Sequence, residues 1–447
     1  VLTPDEMAVV DAAAPEPVEE LIERAGAAVA LEALRMLGGG YGRRVVVLAG
    51  KGNNGADGRA AARRLARRGA RVEVVDALAA PPRLPEADLV IDAAFGTGFR
   101  GEWDAPEVGD APVLAVDIPS GVSGLTGEAP GRVLQADRTV TFAALKPGLV
   151  LEPGRSLAGA VALADIGLDV STAAAHVVEA SDVSAALPER APDAHKWASP
   201  VMVVAGSPGM TGAAHLAAAA AQRAGAGMVR VATPGLADDP NRPVEAVGLR
   251  LPDDGWAEAV SRELHRFRAL VVGPGLGTSM ATQGGVRLLL GSAPVAAVVD
   301  GDALTAIGSD LAVVRDRVAA TVLTPHDGEY ARLAGAPPGA DRLAAARSLA
   351  AEAGVVVLLK GPTTVVADPS GTVRIVASGD ERLATAGTGD VLSGTIGALL
   401  ARGLAPLDAA AAGAWLHGRA AALGPRRGLV ASDLLQLLPL ALSEVAP

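Results

Sequence analysis

Residues 44–58 read Arg-Val-Val-Val-Leu-Ala-Gly-Lys-Gly-Asn-Asn-Gly-Ala-Asp-Gly. The apolar, β-branched run Arg44–Gly50 has the length of a buried strand, and the Arg-studded, Ala-rich segment Ala56–Gly69 that of a helix stopped by glycine. Outward from this pair, Val72–Asp76, Asp88–Ala93 and Val113–Asp117 read as further strands. Upstream, Pro17–Leu37 reads as an amphipathic helix ending at Gly38-Gly39-Gly40. Short apolar strands alternating with helices predict a parallel sheet covered on both faces, with ligands gathered beyond its C-terminal strand ends.

The alternation stops at Gly167–Pro200, rich in small residues and holding prolines at 188, 192 and 200. It then resumes: strand Val201–Ala205, helix Gly212–Gly225, and strands Val229–Thr233, Leu270–Gly273, Val295–Asp300, Thr321–Thr324 and Val355–Lys360. Two helices, Gly389–Arg402 and Pro406–Leu423, are expected to close the chain. The fold class is therefore α/β with two domains, expected at residues 1–170 and 180–447; 447 residues suffice for two full cores.

Composition removes several classes. A net charge of −11 argues against a nucleic-acid protein that relies on bulk positive charge, and the lack of cysteine excludes disulfides, thiolate metal sites and a catalytic thiol. Half the residues are hydrophobic but only 2% aromatic, so Ala, Val and Leu must fill the cores and intrinsic disorder is not expected. No apolar run approaches the ~20 residues of a membrane span, and Val1–Glu6 lacks the basic and apolar blocks of a signal peptide. A cytoplasmic protein without membrane or nucleic-acid partners is expected. Among 39 basic residues only Lys51, Lys146, Lys196 and Lys360 are lysine, which marks positions where a compact ammonium matters.

Gly50-Lys51-Gly52-Asn53-Asn54-Gly55 follows a strand and opens a helix, and Asp76 ends the next strand; that is the pattern of a dinucleotide-binding turn. Asn53, Asn54 and Asp57 carry more side-chain oxygens than a turn working only through its backbone requires. Asp92 and Asp117 lie at two more strand ends, each before a glycine turn. Parallel strands would bring Asn54, Asp92 and Ser120 to one sheet edge, an amide, a carboxylate and a hydroxyl suited to a hard cation. Each aspartate could equally cap its own turn.

Gly387-Thr388-Gly389-Asp390 precedes an apolar helix without a Walker lysine. Glycines at a helix N-terminus make a hole for phosphate charge, and Asp390 is placed to take a hydroxyl proton as the oxygen attacks phosphorus. The bland role for Asp390 is an N-cap. Lys360–Thr364, His326 and the shelf Gly273–Gly277 stand at other strand ends.

In order, GKGNNGADG, IDAAFGTGF, AVDIPSGVSG and ADRTVTFAALKPGL (residues 50–149) resemble the epimerase domain of the NAD(P)H-hydrate repair enzymes. The resemblance implies a Rossmann-like α/β/α sandwich and a hydrated nucleotide held by Asn53, Asn54, Gly55, Ala56 and Asp57 and by Gly96, Thr97, Gly98, Phe99, Arg100, Gly101 and Glu102. It also implies K+ on Asn54, Asp92 and Ser120, and Asp117 against the reacting ring as the candidate proton shuttle. The family usually carries glycine where this chain has Ala56, a change harmless at helical φ and costly at positive φ. HKW, VVAGSPGMTGAAHLAAAAAQRAGAGMVRV, VVGPGLG, VVDGDAL, LTPHDGEYARL, LLKGPTTVV and AGTGDVLSG, spread over residues 195–394, resemble the ADP-dependent (S)-NAD(P)H-hydrate dehydratases, which are ribokinase-like; glycine is commoner in that family at Trp197 and Pro200. Ala213, Gly277, His326 and Asp390 are thereby expected to touch the hydrated nucleotide, with Asp390 catalytic. Lys360, Gly361, Pro362, Thr363, Thr364 and Gly389 are expected to hold ADP, used with Mg2+. The substrates implied are NADHX and NADPHX, and a homo-oligomer is expected. A ribokinase-type small-molecule kinase, a Rossmann oxidoreductase and a non-enzymatic nucleotide sensor or scaffold are the competing readings.

Overall fold

The structure is a computed structural model and describes residues 1–236, 239–252 and 255–446. Pro447, the end of the expected second domain, lies outside the described residues. The chain divides into two compact units, Val1–Ala174 and Ala175–Pro447.

The first unit runs α1 (Pro4–Ala12), α2 (Val18–Leu37), β1 (Arg44–Ala49), α3 (Asn53–Arg67), β2 (Arg71–Asp76), β3 (Leu89–Ala93), β4 (Val113–Val116), β5 (Arg138–Phe142), α4 (Gly154–Ala158) and β6 (Ala160–Ala164). Its sheet has the order β2-β1-β3-β4-β5-β6, and every pairing is parallel. The C-terminal ends of β1, β3, β4 and β5 therefore share one edge. β1, β3 and β4 are buried almost throughout, which is why they read as unbroken apolar runs rather than alternating ones. α2 packs on α3, and Gly26 lets them approach because a Cβ there would collide with the side chain of Ala60.

The second unit runs β7 (Ala175–Val177), α5 (Ala180–Ala186), β8 (Pro200–Val204), α6 (Thr211–Arg223), β9 (Met228–Ala232), β10 (Val247–Leu249), α7 (Trp256–Leu264), β11 (Ala269–Val272), α8 (Met280–Ser292), β12 (Ala296–Val299), α9 (Asp302–Ile307), α10 (Ala312–Arg315), β13 (Thr321–Leu323), α11 (Asp327–Ala334), α12 (Arg342–Ala353), β14 (Val356–Leu359), β15 (Thr364–Ala367), β16 (Val373–Val376), α13 (Thr388–Ala401), α14 (Pro406–Leu423) and α15 (Ala431–Ser443). The sheet order is β10-β9-β8-β11-β12-β13-β14-β15-β16-β7, parallel except for the antiparallel pairs β14–β15 and β15–β16. α13 is buried along nearly its whole length. It crosses α6 at Gly394, where a Cβ would strike the Ala217 carbonyl. Small side chains thus let the Ala-rich helices close tightly in place of bulky aromatics.

The domain boundary expected within Gly167–Pro200 falls between Ala174 and Ala175, where β7 begins the second unit by pairing with β16. Three helices rather than two close the chain. α15 was masked by Pro439, which lies inside it and reads as a breaker. β15 and β16 form a hairpin whose turn is held by the Asp368 carboxylate, accepting from the amides of Ser370 at 2.9 Å and Thr372 at 3.0 Å. Among the described residues no helix is long and apolar enough to cross a membrane.

Candidate active sites

In the first unit a cavity of about 570 Å³ opens at the C-terminal sheet edge, lined by the 51–54 turn, Asp57, the 94–99 loop and Asp117. The helix expected from Ala56 starts earlier, at Asn53, with Gly52 as its N-cap, so Asn53–Asp57 form its first turn. First-turn amides with no helical partner and the positive end of the helix dipole suit a phosphate or carboxamide there. Gly55 is required because a Cβ would collide with the Gly50 carbonyl. Ala56 lies inside the helix and is absent from the positive-φ residues, so its methyl costs nothing in backbone strain.

Asp117 has φ +65°, and the Ile118 amide donates to the Val116 carbonyl at 2.8 Å across it. This tight turn is costly for most residues and tolerated by aspartate. It aims the carboxylate back along the strand end. Asp117 Oδ1 accepts from Lys146 Nζ at 2.6 Å and from Thr141 Oγ1 at 3.1 Å. Lys146, 2% exposed, is tethered in turn by Thr141 Oγ1 and the Phe142 carbonyl. Among the described residues no hydrogen bond reaches Asp117 Oδ2, which lies 3.5 Å from where a Cβ on Gly96 would stand. Asp117 thus has one carboxylate oxygen anchored and the other directed at the 94–99 loop.

Asp92 and Ser120 meet as expected. Ser120 Oγ donates to Asp92 Oδ1 at 2.6 Å, and the Ser120 amide to Oδ2 at 2.8 Å. Both residues are fully buried, and burial pushes the Asp92 carboxyl up from its usual range. Asn54 packs against Gly96, and both atoms of its buried amide lack a partner. An orphaned amide and a carboxylate with no ion pair among the described residues fit a monovalent cation with oxygen ligands. Gly55, Ala56, Arg100, Gly101 and Glu102 do not line the cavity. Arg100 folds back to the carbonyls of Thr97 and Phe99, both at 3.0 Å. Asp76, the acid a dinucleotide oxidoreductase would need on a ribose, caps its own turn through the Leu78 amide at 2.9 Å.

In the second unit the strand ends converge on a charged network. Asp300, just past β12, accepts from Lys360 Nζ at 2.8 Å, Thr324 Oγ1 at 2.8 Å and Ser393 Oγ at 2.6 Å. Lys360, Ser393 and Thr324 overcome the burial penalty and hold the Asp300 carboxyl below its usual range. Asp300 and Glu329, the latter 3.6 Å from Nζ, keep Lys360 charged despite its burial. Nζ also lies 3.7 Å from where a Cβ on Gly389 would stand, directly beneath the glycine loop.

Asp390 is not an N-cap. Gly387 takes that place at φ +90°, and Asp390 is the third residue of α13. Burial and the neighbouring Asp300 push its carboxyl up to about 6, against the opposing pull of Lys360. That is the range for a base working near neutral pH. Thr388 Oγ1 fastens the loop by donating to the Leu383 carbonyl at 2.8 Å. His326 caps α11, Nδ1 accepting from the Gly328 amide at 3.0 Å, with the ring largely exposed. Ala213 on α6 meets the shelf at Gly275, and the Gly277 amide is held by Asp302 at 2.7 Å. Gly361 approaches Arg342, whose Nη2 also donates to the Lys360 carbonyl at 2.7 Å, and Pro362–Thr364 lead into β15.

Asp11, Asp300, Glu329 and Ser393 escaped the sequence reading. Asp300, Glu329 and Ser393 all stood in quoted motifs, and the place of Asp300 at a strand end could have singled it out; nothing local marks Asp11.

The NAD(P)H-hydrate dehydratase family matches residues 201–441, and the YjeF-related N-terminal family matches residues 18–87 and 76–148. The chain is 39% identical to a bifunctional NAD(P)H-hydrate repair enzyme of Moorella thermoacetica, across 90% of this chain and 88% of that one. It is 42% identical to the enzyme of the same name from Mycobacterium tuberculosis, across 88% and 87%. The crystallised ADP/ATP-dependent NAD(P)H-hydrate dehydratase of Bacillus subtilis, determined with ATP and Mg2+, shares 30% identity at a TM-score of 0.52. That match covers 60% of this chain and 97% of that one.

Proposed function

The chain belongs to the bifunctional NAD(P)H-hydrate repair enzymes, and from that membership we propose how its residues divide the work. The enzyme epimerises the R and S hydrates of NAD(P)H and dehydrates the S form in a nucleotide-dependent step. The observation that carries the dehydratase assignment is Asp390, raised toward neutrality beside the Lys360–Asp300 pair at the mouth of α13. Hydroxide is a poor leaving group. Asp390 takes the proton of the substrate hydroxyl as its oxygen attacks the terminal phosphorus of ADP, and AMP departs. The ring-nitrogen lone pair then expels phosphate, and loss of a ring proton restores NAD(P)H. The amides of Gly389 and its neighbours, with the ammonium of Lys360, receive the charge that develops on the transferring group.

Lys360–Thr364 and Gly389 hold the nucleotide, and Ala213, Gly277 and His326 the hydrate. Among the described residues no three carboxylates or histidines converge as a metal cluster. Mg2+ is therefore expected to be held chiefly by the phosphates, where it would neutralise their charge.

In the first unit the hydrate sits against Asn53, Asn54, Asp57 and Gly96–Phe99, with Asp117 as the proton acceptor, while Gly55, Ala56 and Arg100–Glu102 shape the two loops from outside the cavity. Asp117→Asn is expected to slow R-to-S conversion by about 10²- to 10⁴-fold. Chiral chromatography of NADPHX measures this, and an unchanged rate contradicts the assignment. Asn54, Asp92 and Ser120 would hold K+, whose charge would offset Asp92 and fix the 94–96 turn. Replacing K+ by choline is expected to lower epimerisation on the order of 10²-fold through lost loop geometry and to leave dehydration of the S form intact. Assembly as a homo-oligomer in the cytoplasm is part of the same proposal.

A further inference from the structure

The cavity of the first unit is lined by Asp11, Asp57 and Asp117, with the buried Lys146 and the exposed Lys51 as the ammonium groups among its described lining residues. Lys146 is committed to Asp117 at 2.6 Å. Asp57 projects from the first turn of α3, is 7% exposed, and no hydrogen bond among the described residues reaches its carboxyl. Its charged neighbours are Asp117 beyond β4 and Asp11 on α1, while Lys51 in the preceding turn is exposed. α2 contributes only Val18, Leu21, Ile22 and Ala25 to the lining. A carboxyl so placed faces negative charge, without a cation of its own.

We propose that Asp57 is the proton donor of the epimerase, working opposite Asp117 as acceptor; this rests on the epimerase reading above. The R and S hydrates differ at the carbon that bears the hydroxyl and is bonded to the ring nitrogen. Asp117 takes the hydroxyl proton, the C–O bond becomes a carbonyl, and the C–N bond breaks with its electron pair passing to nitrogen. Asp57 gives its proton to that nitrogen. Rotation about the adjoining C–C bond turns the other face of the aldehyde toward nitrogen, and closure reverses both transfers. Protons and electrons balance with no co-reactant.

Burial, Asp117 and Asp11 together push the Asp57 carboxyl up to about 8, so it carries its proton at neutral pH while Lys146 keeps Asp117 supplied with positive charge. A protonated Asp57 and an Asp117 anchored by Lys146 in one cavity are suited to opposite roles. The acid is present below that value and lost as pH rises through it.

The test follows conversion of R-enriched NADPHX by the full chain from pH 6 to 10 in K+. The wild-type rate is expected to fall about tenfold per unit above roughly pH 8. Asp57→Asn is expected to lower kcat by about 100-fold or more, leave KM within a few-fold, and remove the alkaline limb. Asp57→Glu, which keeps an acid, is expected to regain part of the rate together with the limb. A near-wild-type kcat in Asp57→Asn, or an alkaline limb that survives in it, overturns the proposal. A wild type unable to interconvert the epimers overturns the epimerase reading itself, and this proposal with it.

Discussion

Asp390→Asn is expected to lose nucleotide-dependent dehydration by about 10³-fold while epimerisation persists, because the two reactions use different units. The amide keeps the shape of the carboxylate but cannot accept the hydroxyl proton. In the wild type, burial and Asp300 set this carboxyl at about 6. The base is competent above that value, so the dehydration rate should hold steady above pH 7 and drop about tenfold per unit below pH 6. The variant should lose this acid limb. Its stability should not suffer: folding raises the pKa of Asp390, so the folded state disfavours the charge at every pH above about 6. A melting temperature equal to or above the wild type's at pH 7.5 is the expected control.

The second large effect concerns Lys360. Removing one partner of a buried ion pair typically costs ~3–5 kcal/mol because the other charge is stranded. Here Asp300, whose side chain is 4% exposed, would keep only the hydroxyls of Ser393 and Thr324. Lys360→Met should therefore lower the melting temperature of the second unit by roughly 10 °C, given ~2–4 °C per kcal/mol for domains of this size. It should also abolish phosphoryl transfer and, with the opposing pull on Asp390 gone, move any residual acid limb to higher pH. The double variant Lys360→Met/Asp300→Asn should recover most of the stability and none of the activity. A single variant that melts like the wild type would show that the pair is solvated and contributes little.

Much of this arrangement was legible in the sequence because parallel strands are buried on both faces and their C-terminal ends share an edge. Once Arg44–Gly50 reads as a strand, Asn54, Asp92 and Ser120 are neighbours by topology. Lysine scarcity pointed the same way: Lys146 and Lys360 are buried in ion pairs, and only Lys51 and Lys196 stand in solvent. The parts that escaped are those decided by distant partners. β7 is three residues long and exists because β16 offers an edge. Asp57 looked like one more polar residue in a turn, and its proton affinity comes first from burial, then from Asp117, 60 positions away, and Asp11, 46 away. The cap that the His326 ring makes at the start of α11 escaped as well, because it depends on backbone amides that only the folded turn brings to it.

The central claim is that this one chain repairs both hydrates, and a single assay addresses it. The purified protein is given an equal mixture of R and S NADPH hydrates with ADP, Mg2+ and K+, and reduced-nicotinamide absorbance is followed together with AMP. Recovery of both epimers well above the spontaneous rate, with one AMP per NADPH, is the predicted result. Recovery that halts at the S fraction would contradict the work assigned to Asp117 and its cavity. Absence of recovery with ADP or ATP would contradict the account as a whole.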